Sequence, residues 1–169
     1  MVAAASACKG TAPEVQDPAI VTDGKSFQLT RSGHSSYDGY DAKVPHTFTN
    51  RTGANVYIDE GCSGGHIAID VYEGGEWVRV NRGEGCWISD KSFRAIEPGA
   101  VYHDTLFFGC TSGGSCGPRL TLPSASTQFR IKWWAWSSLD EDQYGNPIPG
   151  DPLPLEERVS NHFTFEVVE

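Results

Sequence analysis

The chain has 169 residues, with 13 Lys and Arg against 22 Asp and Glu and a formal charge of −9. That length suits one domain, or one domain with tails. The acidic balance argues against nucleic-acid binding and against direct electrostatic docking on anionic lipid. With 19 Gly, 10 Pro, 11% aromatic residues and a single Met, the composition suits an all-β domain rich in turns.

At the N-terminus, Ala5, Ser6, Ala7 and Cys8 follow the pattern that closes a bacterial lipoprotein signal: small residues, then the cysteine that receives lipid. Met1–Ala7 is too short and too uncharged for a whole signal peptide, so the upstream part is expected to be missing or the start misplaced. Secretory cleavage after Ala7 is the rival reading. The remaining cysteines, Cys62, Cys86, Cys110 and Cys116, are an even set able to close as two disulfides. A reducing cytoplasm would not keep such pairs oxidised. The expected setting is therefore the periplasm or outer surface of a bacterium, with a lipid on Cys8 holding the chain to a membrane. Residues 9–24 are polar, proline-bearing and aperiodic, and read as a tether. The expected division is 1–24 as anchor and flexible tether and 25–169 as the domain.

From Phe27 onward, strand follows strand. The expected strands are Phe27–Thr30, His46–Asn50, Asn55–Asp59, His66–Tyr72, Trp77–Asn81, Ser92–Ile96, Val101–Phe108, Thr127–Trp136 and His162–Val168, separated by turn-forming residues. Period-two alternation assigns Ile67, Ile69 and Val71, then Phe129, Ile131, Trp133 and Ala135, then Phe163, Phe165 and Val167 to the core. This spacing predicts an antiparallel β-sandwich of immunoglobulin type with long loops and disulfides. Two loops stand out. Gly109–Leu122 is glycine-rich and holds two cysteines; Ser137–Asn161 is acidic at its start and proline-rich in its middle.

Three pairings of the four later cysteines are open, the local one, 62–86 with 110–116, being the simplest. Their spacing lacks the close pairs of structural zinc, and no metal is expected. Gly61–Gly65 and Gly113–Gly117 carry serines between glycines but lack the context of a nucleophile. Asp140, Glu141 and Asp142 with Gly145 and Asn146 partly follow a calcium loop and read as an acidic turn. No cofactor and no catalytic residue is expected, so the chain is not expected to be an enzyme. The most distinctive patch is Lys132-Trp133-Trp134-Ala135-Trp136. With Trp133 in the core, Trp134 and Trp136 fall on the opposite face beside Arg130 and Lys132, a combination suited to binding a partner.

The runs TFTNRTGANVYID, GGEWVRV, AIEPGAVY, FRIKWWAW and RVSNHFTFEVV, in this order across roughly the last three quarters of the chain, resemble bacterial secreted or lipoprotein immunoglobulin-like β-sandwich families. The chain is more distantly similar to the intracellular proteinase inhibitor family of bacilli. The resemblance implies the sandwich fold, and no functional residue is carried over from it. The function expected from residues and resemblance together is a non-enzymatic, extracytoplasmic, lipid-anchored accessory or stabilising subunit docking on a membrane protein complex or envelope component. Protease inhibition, or peptide or glycan binding, is the alternative.

Overall fold

The computed structural model describes residues 11–32, 39–60, 66–80, 92–109 and 127–168. Among them every strand expected from Phe27 onward is present, and the only helical element is a 3-10 turn at Leu155–Arg158. The protein is all-β, built from several mostly antiparallel sheets.

Tyr40–Thr49 (β3) is the central strand of the largest sheet. Ala42, Val44, His46 and Phe48 alternate inward, while Lys43, Pro45, Thr47 and Thr49 lie between them on the less buried face. One edge of β3 pairs along its length with Val101–Phe108 (β8). Its other edge is shared: Tyr40 and Asp41 pair with Ser26–Arg31 (β2), and His46–Phe48 with Ile20–Thr22 (β1). Strand β2 in turn pairs in parallel with Thr164–Val168 (β13).

Ile67–Glu73 (β5) lies between Glu76–Arg79 (β6) and Phe129–Trp133 (β9). The β5–β6 turn is Gly74–Gly75, both with positive φ, as a tight hairpin requires. Past Trp134 the same strand resumes as Ala135–Trp136 (β10), which pairs with Val56–Asp59 (β4); β4 also pairs with Phe93–Ile96 (β7). The β3–β4 turn is organised by Asn50. This buried side chain accepts from the Thr52 backbone N–H and hydroxyl and donates to the Ala54 and Ile96 carbonyls.

Segment 159–163 lies against the free edge of β9. The Ser160 and Phe163 N–H groups donate to the Ile131 and Phe129 carbonyls, and Ile131 N–H donates to the Ser160 hydroxyl in place of a backbone carbonyl. The Asn161 side chain, through its amide oxygen and nitrogen, is hydrogen-bonded to Thr22 of β1. The chain then runs on as β13 beside β2, so one ten-residue segment stitches two sheets together. Residues of both sheets meet in a single core. At one end, Phe27, Phe108, Phe129, Phe163 and Phe165 pack edge-on or stacked. At the other, fully buried Trp133 stacks on Phe48 at 5.0 Å and meets the edges of His46, His66 and Tyr102.

Two expectations about loops change. Part of the segment read as a tether is packed: Ala12, Ala19 and Ile20 are buried, and Ile20–Thr22 form β1. Three residues are too few to show a period, and the pairing comes from β3. The segment Ser137–Asn161, read as one long loop, contains a hairpin of Leu139–Glu141 (β11) and Pro147–Pro149 (β12) and then the 3-10 turn. Its prolines hide it from a sequence reading. Backbone hydrogen bonds join Asp142 to Asn146 and Gly150 to Ser138 on either side, so Pro147 and Pro149 occupy the alternate, non-hydrogen-bonded pairs where no N–H is needed. The acidic stretch closes this turn. The Asp142 carboxylate accepts from Tyr144 N–H and from the Asn146 backbone and side chain, and these bonds hold it below the ordinary carboxyl range.

Candidate interaction surface

Strand pairing fixes which side chains share the outer face of β6–β5–β9. Asp70 lies opposite both Arg79 and Arg130, and Tyr72 lies opposite Trp77. Lys132 of β9, and Trp134 just past its end, continue that face. The Arg130 Nε and Nη2 both donate to Asp70 Oδ2, at 3.1 and 3.0 Å, and both residues are buried. The Arg130 guanidinium lies 4.4 Å from the Trp77 ring centre, and Trp77 is flanked by Tyr72 and His162. One step along, the Arg79 guanidinium sits 4.6 Å and the Lys132 ammonium 5.7 Å from the Trp134 ring. The face is therefore a ladder of alternating rings and cations, each contact contributing on the order of 0.5–2 kcal/mol according to its desolvation.

Its electrostatics are lopsided. Asp70 is the only acid at the outward positions of β5, β6 and β9, and Arg130 already occupies it. Among the described residues neither Arg79 nor Lys132 has an ion-pair partner. Burial pushes the Lys132 ammonium below its ordinary value; Asp70 opposes this, and Arg79, Arg158 and Arg130 add to it. Two buried nitrogens beside the ladder, Arg158 Nε and His162 Nε2, have no hydrogen-bond partner.

Of the residues the sequence offers for partner binding, Arg130, Lys132 and Trp134 come together here. Arg130 is committed to Asp70 and Trp77 rather than presented to solvent. Trp136 belongs to another group: it meets Phe93 of β7 edge-on and bridges to Pro152. Cys8, Cys62, Cys86, Cys110 and Cys116 lie outside the described residues, as do both glycine–serine runs. Sequence reasoning missed Trp77, Arg79, Asp70, Arg158 and His162. The alternation in EWVR, which puts Trp77 and Arg79 on one side, was the available signal for the first two.

A second polar group lies between β4 and β8. His66 Nε2 donates to Asp104 Oδ2 at 2.9 Å and its Nδ1 to the Asp59 carbonyl at 3.1 Å. Both nitrogens face oxygen acceptors. Burial pushes Asp104 up, but its bonds from His66 and Thr105 outweigh this and leave it below the ordinary range. The Tyr102 hydroxyl donates to Glu60, which also pairs with Arg94; burial and that bond push Tyr102 up to about 12. With both His66 nitrogens committed, this group pins the end of β4 to β8.

His46, beneath it, is held neutral. The Trp133 indole N–H can only donate, so His46 Nε2 accepts at 3.1 Å while its Nδ1 donates to the Val44 carbonyl. Burial lowers its pKa from 6.5. A base whose pKa falls on folding binds more protons when unfolded, so its contribution is complete above pH 6.5 and declines as pH falls through its lowered native value. Thermal melts from pH 7.5 to 5 are expected to show a falling midpoint, by about 2–4 °C per kcal/mol lost. The decline should be shallower in His46→Gln; an equal slope in both proteins would exclude His46 as its source.

No family model matches the sequence, and no curated protein matches it.

Proposed function

We propose that the chain is an immunoglobulin-like β-sandwich acting as a non-enzymatic, extracytoplasmic interaction module. In this reading a lipid on Cys8 anchors it to a membrane, two disulfides among Cys62, Cys86, Cys110 and Cys116 brace its loops, and it docks as an accessory or stabilising subunit on a membrane protein complex or envelope component. The observation that carries the docking reading is the ring-and-cation ladder of Trp77, Arg130, Trp134, Arg79 and Lys132. Side chains stacked in this way lose little further freedom when a partner arrives, which favours affinity, and Trp and Arg are the residues that most often dominate interface energies. Two sheets sharing one core, with a terminal strand parallel to β2, support the sandwich.

One further observation favours the alternative. The β11–β12 hairpin presents Tyr144, 79% exposed, on a turn held by Asp142. A rigid arm with an aromatic tip suits entry into a partner's cleft, as in an inhibitor of proteases.

Gentle detergent extraction of native membranes followed by cross-linking mass spectrometry decides between them. Reproducible cross-links from Lys132 to one membrane complex, with a lipid mass on Cys8, are expected. Links confined to the hairpin and leading into a protease cleft would replace docking with inhibition, and the absence of any stable partner would remove the module reading.

A further inference from the structure

Two cations face the Trp134 ring without a carboxylate of their own, and the charge of a third, Arg158, acts on Lys132. Among the described residues Arg79 has no ion pair, nor has Lys132, and Arg158 has a buried Nε with no acceptor. The charges acting on Lys132 are one carboxylate, Asp70, against three arginines, and Asp70 already receives two bonds from Arg130. Such a patch on a chain of charge −9 is a local reversal of sign. Cations that repel one another with no carboxylate of their own describe a face open to an anion.

We propose that this face is an anion-recognition site that takes an extended acidic segment of a protein partner, through Arg79 and Lys132. The inference rests on the interaction-module reading and specifies the partner's chemistry. Three features favour a peptide carboxylate. First, Arg79 lies over Trp134, which orients its planar fork while leaving its N–H edges for a carboxylate. Second, Arg79 stands in register with Asp70 and Arg130, whereas Lys132 stands two residues further along β9. Alternate residues on a strand are about 6.6–6.8 Å apart, the spacing of alternate side chains in an extended peptide. The two also stand two strands apart with β5 between them, about 9–10 Å across the sheet, so acidic residues at positions i and i+4 of a segment crossing the face diagonally meet both. Third, the Trp77 and Trp134 rings are already faced by cations, so they do not offer the open surface on which a sugar ring stacks. Nor is the face built to enter a bilayer: the exposed valine of β6, Val78, alternates with Trp77 and Arg79 and lies on the other side of the strand.

The test is titration of the full chain with a fluorescent oligoglutamate peptide, against an oligoglutamine control, at low and high salt. Saturable binding of oligoglutamate alone, weakening as salt rises, is expected. Arg79→Gln and Lys132→Gln should each weaken it about tenfold, the loss of one charge-assisted contact. Lys132→Arg should retain it, which separates lost charge from lost folding, and Val78→Thr should leave it unchanged. No binding by oligoglutamate, or equal binding by the Arg79→Gln/Lys132→Gln double variant with an unaltered melting curve, overturns the site. Tighter, variant-sensitive binding of polygalacturonate or of phosphatidylglycerol vesicles overturns the peptide assignment in favour of a glycan or a membrane. The two readings fail separately. Peptide binding without a membrane partner sustains the site and removes the module; a membrane partner cross-linked elsewhere, with no peptide binding, does the reverse.

Discussion

Replacing Trp133 with alanine is expected to cost about 3–5 kcal/mol, the range for removing a large buried aromatic. The side chain is fully buried, stacks on Phe48 and meets the edges of His46, His66 and Tyr102, so β9 loses its ring contacts to β3, to β8 and to the residue leading into β5. The loss has a polar part too. His46 Nε2 would be left without its donor in a buried site, a penalty of about 1–3 kcal/mol if no water replaces it. Trp133→Phe separates the two contributions, keeping most of the ring packing and losing the hydrogen bond. Urea unfolding of the three proteins measures this directly. A loss below about 1 kcal/mol for alanine would mean that the neighbouring side chains collapse freely into the space, contrary to the packing described. Trp134→Ala, one residue further along, should cost much less because its ring lies on the outer face.

Asp70→Ala is expected to be nearly as damaging, for a different reason. It strands the Arg130 guanidinium, itself buried, without the carboxylate that receives both of its donated bonds. Breaking a buried pair from one side typically costs 3–5 kcal/mol, whereas replacing both partners with apolar residues is often neutral. The double variant Asp70→Leu/Arg130→Met should therefore recover most of the stability lost in the single variant. Equal destabilisation of single and double variants would show that the Arg130–Trp77 contact, rather than the ion pair, sustains the face.

How much of this is legible in the sequence follows from the range of the interactions. The period-two runs IAIDV and FRIKW give both the strands and the inward positions of Ile69, Ile131 and Trp133, because alternation is a property of a single strand. The turn at Asn50 is legible for the same reason, its residues being neighbours in the chain. The His66–Asp104 bond joins residues 38 positions apart and the Asp70–Arg130 pair residues 60 apart, and nothing local announces either. A sequence reading places Arg130 on the outer face correctly but cannot tell that an aspartate awaits it there, so it takes a buried, committed cation for a presented one. The same limit groups Trp136 with Trp134. The break at Trp134 ends β9, and β10 carries Trp136 to Phe93 instead. Strand β1 was invisible because its pairing residues lie on β3, and the β11–β12 hairpin because proline is read as a strand breaker without regard to which pairs need an N–H.

The stitching segment 159–168 has a consequence for how the protein is made. All its partners, on β1, β2 and β9, precede it in the chain. Until it is synthesised, β2 and β9 each present an unsatisfied edge and the phenylalanine cluster lacks Phe163 and Phe165. The core therefore closes late, since loops spanning more than a hundred residues are drawn together by a segment synthesised after all of its partners. The order of synthesis thus delays completion of the core until residues 159–168 have emerged.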